Sequence, residues 1–288
     1  MDFTEETAAD AVVASIADTT DPRLAQLLTG LVRHLHAFVR EERRTVGEWE
    51  QAIEFLTAVG QACTPTRQEF ILLSDVLGVS MLTETINGQE AGTDSTVLGP
   101  FHTVESPARE NGDSIDLVGG REPCVVEIDV TGVDGRPLPG AAVDIWQCDE
   151  DGFYDVQQPD VQPPGNGRGL FHADDRGRVR FRTVVPSHYP IPTDGPVGAL
   201  LAATGRHPYR PAHIHAIVTA EGHRELTTHV FVAGSPYIDN DAVFAAKQSL
   251  LVDFTPDHDE DTAREYGLQA PVTIARFALV LDSETVRA

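Results

Sequence analysis

Arg178-Val179-Arg180-Phe181-Arg182-Thr183 alternates arginine with an apolar or β-branched residue at every step. Side chains that repeat with a period of two share one face of an extended strand, so the stretch reads as a β-strand with Val179, Phe181 and Thr183 turned inward. The same period runs through Val126, Ile128 and Val130 around Glu127 and Asp129, and through Val143 and Ile145 around Asp144. His213–Thr219, Leu226–Ala233 and Val272–Leu281 read as further strands, with turn signals at Asp134-Gly135, Pro139-Gly140 and Arg176-Gly177. Many short alternating strands with Gly/Pro turns predict an antiparallel β-sandwich or barrel.

Upstream, to about residue 88, the period is helical. Leu24, Leu27, Leu28, Leu31, Leu35, Phe38 and Val39 recur at steps of three and four, behind an Asp21 N-cap and Pro22 at the first helical position. A second helix opens at the capping box Thr45-Val46-Gly47-Glu48 and carries Trp49, Ile53, Leu56 and Val59. A third opens at Thr66-Arg67-Gln68-Glu69, also a capping box, and stops at Asn87-Gly88. His34 and His36 lie two apart on the first helix and point to different faces, which argues against a joint metal site. The chain therefore reads as mainly β with an α-helical N-terminal region, divided near residue 100: helices over 1–100, a β-sandwich over 101–288.

The chain has 288 residues, enough for one large domain with a helical appendage. Its formal net charge of −24 argues against nucleic acid and against anionic membrane surfaces, since both recognise basic protein. Cys63, Cys124 and Cys148 lack C-x-x-C spacing, so neither a disulfide framework nor a cysteine zinc site is expected. The acidic start has no secretory pattern, and no apolar run is long enough to span a bilayer. A cytoplasmic location is the expectation.

Chemistry concentrates at Arg210-Pro211-Ala212-His213-Ile214-His215. On a strand, residues i and i+2 share a face, so both imidazoles can reach one ion. His-x-His alone leaves the metal open. One reading adds Glu221 and His229, a cupin-like set suited to Fe2+ or Mn2+ oxygenase chemistry, although Glu221 sits in Ala220-Glu221-Gly222-His223, a turn that points it to solvent. Another adds Tyr154, in DEDGFYD, and Tyr189, in VVPSHYPIPTDGPVG; each lies where a strand gives way to a loop. Two phenolates with two neutral imidazoles suit Fe3+, which brings a phenol's pKa from near 10 below neutrality where weaker Lewis acids do not. The third reading is a non-catalytic sandwich without metal.

DGFYD, PSHYPIPTDGPVG and RPAHIH, with Thr96-Val97-Leu98-Gly99-Pro100-Phe101 upstream, resemble the intradiol ring-cleaving dioxygenases over most of the chain. VLGPFH, LTTHVFVAGSPYIDNDAVF and LLSDVLGVS are most similar to the hydroxyquinol-cleaving branch; catechol and chlorocatechol cleavage is the neighbouring alternative.

The resemblance implies a sandwich catalytic domain and a helical linker that forms a homodimer, in which a phospholipid can be held. It implies one non-haem Fe3+ on Tyr154, Tyr189, His213 and His215, with Tyr189 and His215 axial. Cleavage runs between adjacent hydroxylated carbons, and both atoms of O2 enter the muconate product. NAD(P)H and flavin are not needed. Arg210 is the expected stabiliser of negative charge on the reacting ring, although strand alternation puts it on the face opposite the ligands. His229 stands where the catechol-cleaving branch has glutamine, and is a candidate catalytic residue. Leu72, Asp75, Val97, Leu98, Gly99, Pro100, Phe101, Ile191, Pro192 and Val243 are the expected substrate contacts. Asp75, a carboxylate among Leu72, Leu73, Val76 and Leu77, is an acceptor for the third hydroxyl of a trihydroxybenzene.

Overall fold

The structure is a computed structural model that describes residues 2–64, 67–102 and 104–284. The chain divides into two compact units, residues 1–58 and 59–288.

In the first unit, α1 spans Ala8–Ser15, a helix not among the three expected from the sequence. Helix α2 spans Pro22–Glu41, and the Asp21 carboxylate caps it by accepting from the backbone N–H groups of Arg23 (2.8 Å) and Leu24 (3.1 Å). Helix α3 spans Val46–Gln61 behind the expected capping box: Glu48 accepts from the Thr45 N–H at 2.8 Å, and Thr45 Oγ1 from the Glu48 N–H at 3.3 Å. No residue of α2 is buried, and its stripe, Leu27, Leu31, Leu35 and Phe38, is about half exposed.

The expected third helix is two helices, α4 (Glu69–Val76) and α5 (Val79–Asn87). Gly78 separates them at φ +72°, a left-handed conformation that ends an α-helix and that glycine adopts without a Cβ clash. The expected cap Thr66 lies outside the described residues. The break frees α4 to bury Leu72, Leu73, Asp75 and Val76 together, whereas α5 buries Met81 alone.

Among its described residues the second unit carries eleven strands: β1 Pro123–Gly132, β2 Ala142–Gln147, β3 Arg168–His172, β4 Arg178–Val184, β5 Tyr189–Pro190, β6 Tyr209–Arg210, β7 His213–Thr219, β8 Leu226–Val232, β9 Leu251–Val252, β10 Phe254–Asp257 and β11 Val272–Leu281. Helices α6 (Pro196–Ala203) and α7 (Glu260–Glu265) interrupt them. One sheet has the order β10-β11-β1-β4, the other β3-β2-β7-β8-β9, and β5-β6 form a short ribbon.

Most strand pairs are antiparallel, as the sandwich expectation has it; β1 with β11 and β8 with β9 pair in parallel. Tight hairpins force antiparallel pairing only between neighbours in sequence, and these pairs are far apart in the chain or joined by a long connection. Val126, Ile128, Val130, Val179, Phe181 and Leu279 from one sheet meet Val143, Ile145, Phe171, Ile214, Ala216 and Val218 from the other in one buried core. Phe171 and Phe181 stack across it at 5.1 Å. On β4 the opening motif behaves as its alternation requires: Val179, Phe181 and Thr183 are buried, while Arg178 reaches out to Asp129 at 2.9 Å. Among the described residues no helix is long and apolar enough to cross a membrane.

Candidate metal centre

On β7 the core takes Ile214, Ala216 and Val218, so alternation sends His213 and His215 to the outer face of the same sheet. That face is covered, because both imidazoles are fully buried. Ladder register lines up Trp146, His215 and His229 across β2, β7 and β8. Directly opposed residues share a face, so His229 is delivered to the histidine pair by register alone. Trp146 stacks flat on His215, with centroids 4.6 Å apart and planes 12° off parallel.

The tyrosines arrive from loops over this face. After β2 the chain turns at Asp149, whose side chain accepts from the Phe153 N–H at 2.9 Å, and the next residue is Tyr154. Tyr189 is held on the β5-β6 ribbon directly opposite Arg210. Both phenols are buried.

Four donor atoms form a closed ring. Tyr154 Oη lies 3.2 Å from Tyr189 Oη, which lies 3.3 Å from His213 Nε2; His213 Nε2 lies 3.1 Å from His215 Nε2, which lies 3.0 Å from Tyr154 Oη. Donors about 2.1 Å from one ion, at angles of roughly 90–109°, stand about 3.0–3.4 Å apart. The ring has the dimensions of a single-ion coordination set.

Protonation supports the same fit. His213 donates its Nδ1–H to the Pro211 carbonyl at 2.7 Å, which leaves the Nε2 lone pair aimed at the ring centre. Burial, and then Arg210, hold the His213 pKa well below the ordinary value; burial and His213 do the same to His215. Both imidazoles are thus neutral and ligand-competent. Burial pushes the phenol of Tyr154 well above its ordinary pKa, as does the neighbouring Tyr189. Burial also raises Tyr189, against the pull of Arg210. Phenols so placed ionise only beside a strong local cation.

Arg210 corrects an expectation. Alternation counted back from His213 puts it opposite the ligands, but β6 ends at Arg210 and Pro211-Ala212 breaks the period before β7 begins. The guanidinium is instead buried beside the ring, with Nη1 3.3 Å from His213 Nε2 and 3.3 Å from His229 Nε2. Burial opposes its charge, but Asp241 and the two phenols more than restore it, so its pKa lies above the ordinary value.

His229 clusters with His213 and His215, yet both its nitrogens are engaged. Nδ1 is hydrogen-bonded to Thr96 Oγ1, and Nε2 faces the donor Arg210 Nη1. Glu221 is exposed in the β7–β8 turn, where the sequence puts it. The cupin-like set therefore lacks its carboxylate.

A small cavity beside the ring is lined by Leu72, Asp75, Val97, Gly99, Pro100, Phe101, Ile191 and Val243, together with Tyr189 and Arg210 of the ring and its neighbour. Leu98 and Pro192 are absent from the lining; Leu98 is 43% exposed. Phe101 stacks on Tyr154 at 4.5 Å. Asp75 is buried among apolar side chains, and its Oδ1 has no hydrogen-bond partner among the described residues. Burial raises its pKa, against the Ser80 hydroxyl and Arg210.

Sequence reasoning missed four residues here: Thr96 as partner of His229, Trp146 behind His215, Arg168, and Asp241. Fully buried Arg168 pairs with Asp155 at 2.8 Å and donates to the Phe101 carbonyl at 2.9 Å. Nothing local marks Asp241 in a chain with 45 acidic residues.

Beside the sandwich, two phenols and two imidazoles thus converge in one buried cluster. A family model described as "Dioxygenase" matches residues 100–282, and one described as "Catechol dioxygenase N terminus" matches residues 21–94. The chain is 49% identical to hydroxyquinol 1,2-dioxygenase of Rhizobium sp. (strain MTP-10005), over 92% of this chain and 90% of the relative. It is 50% identical to 6-chlorohydroxyquinol 1,2-dioxygenase of Cupriavidus pinatubonensis, over 88% and 92%. The crystal structure of hydroxyquinol 1,2-dioxygenase from Pseudomonas putida DLL-E4 superposes with a TM-score of 0.90 at 46% identity, covering 97% of this chain and 99% of that one. The chain belongs to the intradiol ring-cleavage dioxygenase family. It is an enzyme of non-haem iron type that acts on an aromatic diol and O2.

Proposed function

We propose that this enzyme cleaves hydroxyquinol (1,2,4-trihydroxybenzene) between adjacent hydroxylated carbons to give 3-hydroxy-cis,cis-muconate, the enol form of maleylacetate. Substrate and O2 sum to the product, so no NAD(P)H, flavin or other reductant takes part. The observation that carries this reading is Asp75: a buried carboxylate with a free acceptor oxygen, in the cavity that Tyr189 and Arg210 also line. A trihydroxybenzene offers that oxygen a hydroxyl donor, and catechol does not. Relatives near 50% identity carry hydroxyquinol and chlorohydroxyquinol in their names.

In this reading Tyr154, Tyr189, His213 and His215 would hold Fe3+, which would supply Lewis-acid activation of the diol toward O2. The chain does the rest. Tyr189, which lines the cavity, takes a proton from the incoming diol. Arg210 Nη1, beside the donor ring, stabilises negative charge that develops on the substrate. Leu72, Ile191 and Val243 exclude water and fix the plane of the ring, and Phe101 holds Tyr154 in place from its stacked face. His229 anchors Nη1 of Arg210 from the side away from Asp241.

The helical region within residues 1–100 serves homodimerisation through the α2 stripe, with a phospholipid chain as a further occupant, and the sandwich over 101–288 carries catalysis. A cytoplasmic location fits the free cysteines and acidic charge.

Oxygen uptake by the iron-loaded protein, with hydroxyquinol, catechol and chlorocatechols in parallel, tests the substrate. Hydroxyquinol should have the highest kcat/KM, and Asp75→Leu should cut its advantage over catechol by at least about tenfold. Equal efficiency on catechol, unaltered by Asp75→Leu, favours the catechol-cleaving reading instead.

A further inference from the structure

Asp241 is 4% exposed and sits in the chain just before Val243, which reaches the substrate cavity. Each of its carboxylate oxygens receives two donors. Oδ1 accepts from Arg210 Nε at 3.2 Å and from the Val243 N–H at 3.3 Å; Oδ2 accepts from Arg210 Nη2 at 3.3 Å and from the Ala245 N–H at 3.0 Å. The fork-to-fork contact engages Nε and Nη2, and Nη1 is the nitrogen that reaches the donor ring, 3.3 Å from His213 Nε2. On that side Nη1 meets His229 Nε2, and His229 is fixed in turn by Thr96.

We infer that Asp241 is a positioning residue: it locks the guanidinium of Arg210 with Nη1 toward the reacting diol, and through the same oxygens sets the turn that carries Val243. This rests on the reading of Arg210 as the group that stabilises charge on the substrate. An arginine stem has four rotatable torsions, and two flanking anchors remove the freedom of its tip before substrate arrives. The residue type is demanding. All four partners of the carboxylate are donors, so asparagine must turn its NH2 toward at least one of them, and only a carboxylate satisfies the set.

Arg210→Gln, Asp241→Asn, Asp241→Glu and the Arg210→Gln/Asp241→Asn double variant are compared as iron-loaded enzymes and, for melting, as metal-free protein. Arg210→Gln should lower kcat on the order of 10²-fold. Asp241→Asn should lower kcat on the order of 10- to 10²-fold, with KM for the diol changed far less and the visible band of the iron-loaded protein unmoved. The double variant should be no slower than Arg210→Gln alone, since an arginine that is absent cannot be mispositioned. If Asp241→Asn does not fold, Asp241→Glu carries the test: it keeps the charge but displaces the fork, and kcat should fall while melting stays close to wild type.

A folded Asp241→Asn or Asp241→Glu variant with kcat within twofold of wild type overturns the inference, whatever its melting point. So does a loss of equal factor in wild-type and Arg210→Gln backgrounds, which would mean the carboxylate acts independently of the arginine. An unchanged kcat in Arg210→Gln overturns the underlying reading of Arg210 and this inference with it; a slow Arg210→Gln with a fast Asp241→Asn overturns the inference alone.

Discussion

The hydroxyl of Tyr154 stands 3.0 Å from Nε2 of His215, although the two residues are 61 positions apart in the chain. That contact closes the donor ring, and it is buried where water cannot relieve the convergence of lone pairs. An ion bound there would satisfy donors that the unfolded chain does not bring together. Iron at about 1,000 times its dissociation constant should stabilise the protein by roughly 4 kcal/mol, raising its melting temperature on the order of 10 °C. Differential scanning calorimetry of metal-free and reloaded protein checks this, and coincident transitions would count against the ring as a site.

Gly99 ties the cavity wall to the ring. It holds φ +80°, and a Cβ there would lie 2.9 Å from Cε1 of His215. Gly99→Ala should combine backbone strain of about 1–3 kcal/mol with displacement of an imidazole donor. Iron retention after gel filtration, measured by atomic absorption, should fall below that of the wild type, where a merely strained loop would leave it unchanged.

These contacts show what was legible in the sequence and what was not. Period-two patterns are local, so β4, β7 and β11 could be read directly, and the i, i+2 rule put His213 and His215 together. Tyr154 and Tyr189 could be put forward as ligands from their strand-to-loop positions, but only a resemblance to a known family favoured them over the Glu221–His229 set, because no spacing rule joins a phenol to an imidazole across two loops. Arg210 was placed on the wrong face because Pro211-Ala212 interrupts the strand. Asp241 and Trp146 reach the site only through ladder register and a turn, both of which depend on tertiary pairing. The split of α4 from α5 hinged on Gly78, a glycine inside an otherwise continuous helical pattern.

Asp75 should also set a pH dependence of stability. Its folded-state pKa is raised by burial, so the native chain holds this proton more tightly than the unfolded chain does. Stability from this group is present below the ordinary aspartate pKa of about 3.9 and is lost as pH rises through the raised native value. Asp75→Asn cannot ionise and escapes that loss. Urea midpoints of the metal-free protein should favour the variant at pH 7, with the gain shrinking toward pH 4. A pH-independent difference would show that the carboxylate is relieved in some other way.

Arg168 and Asp155 are 1% and 4% exposed and 2.8 Å apart, directly behind Tyr154 and Phe101. Removing one partner leaves the other charge buried, so Arg168→Met should destabilise by about 3–5 kcal/mol. Arg168→Met/Asp155→Leu should recover part of that loss, because no unpaired charge remains; Gly165, whose N–H donates to Asp155, limits the recovery. Equilibrium urea unfolding of both variants provides the comparison. A double variant less stable than Arg168→Met would contradict the reading of the pair as a desolvated ion pair.

The central claim is that two buried phenols and two buried imidazoles hold one ferric ion. The most direct test is the visible spectrum of the iron-loaded protein, with iron quantified on the same sample. A tyrosinate-to-iron charge-transfer band should colour the wild type red to burgundy. The band should shift or vanish in Tyr154→Phe and Tyr189→Phe, and stay in place in Glu221→Gln. A protein that carries one iron per chain and is colourless would contradict the account.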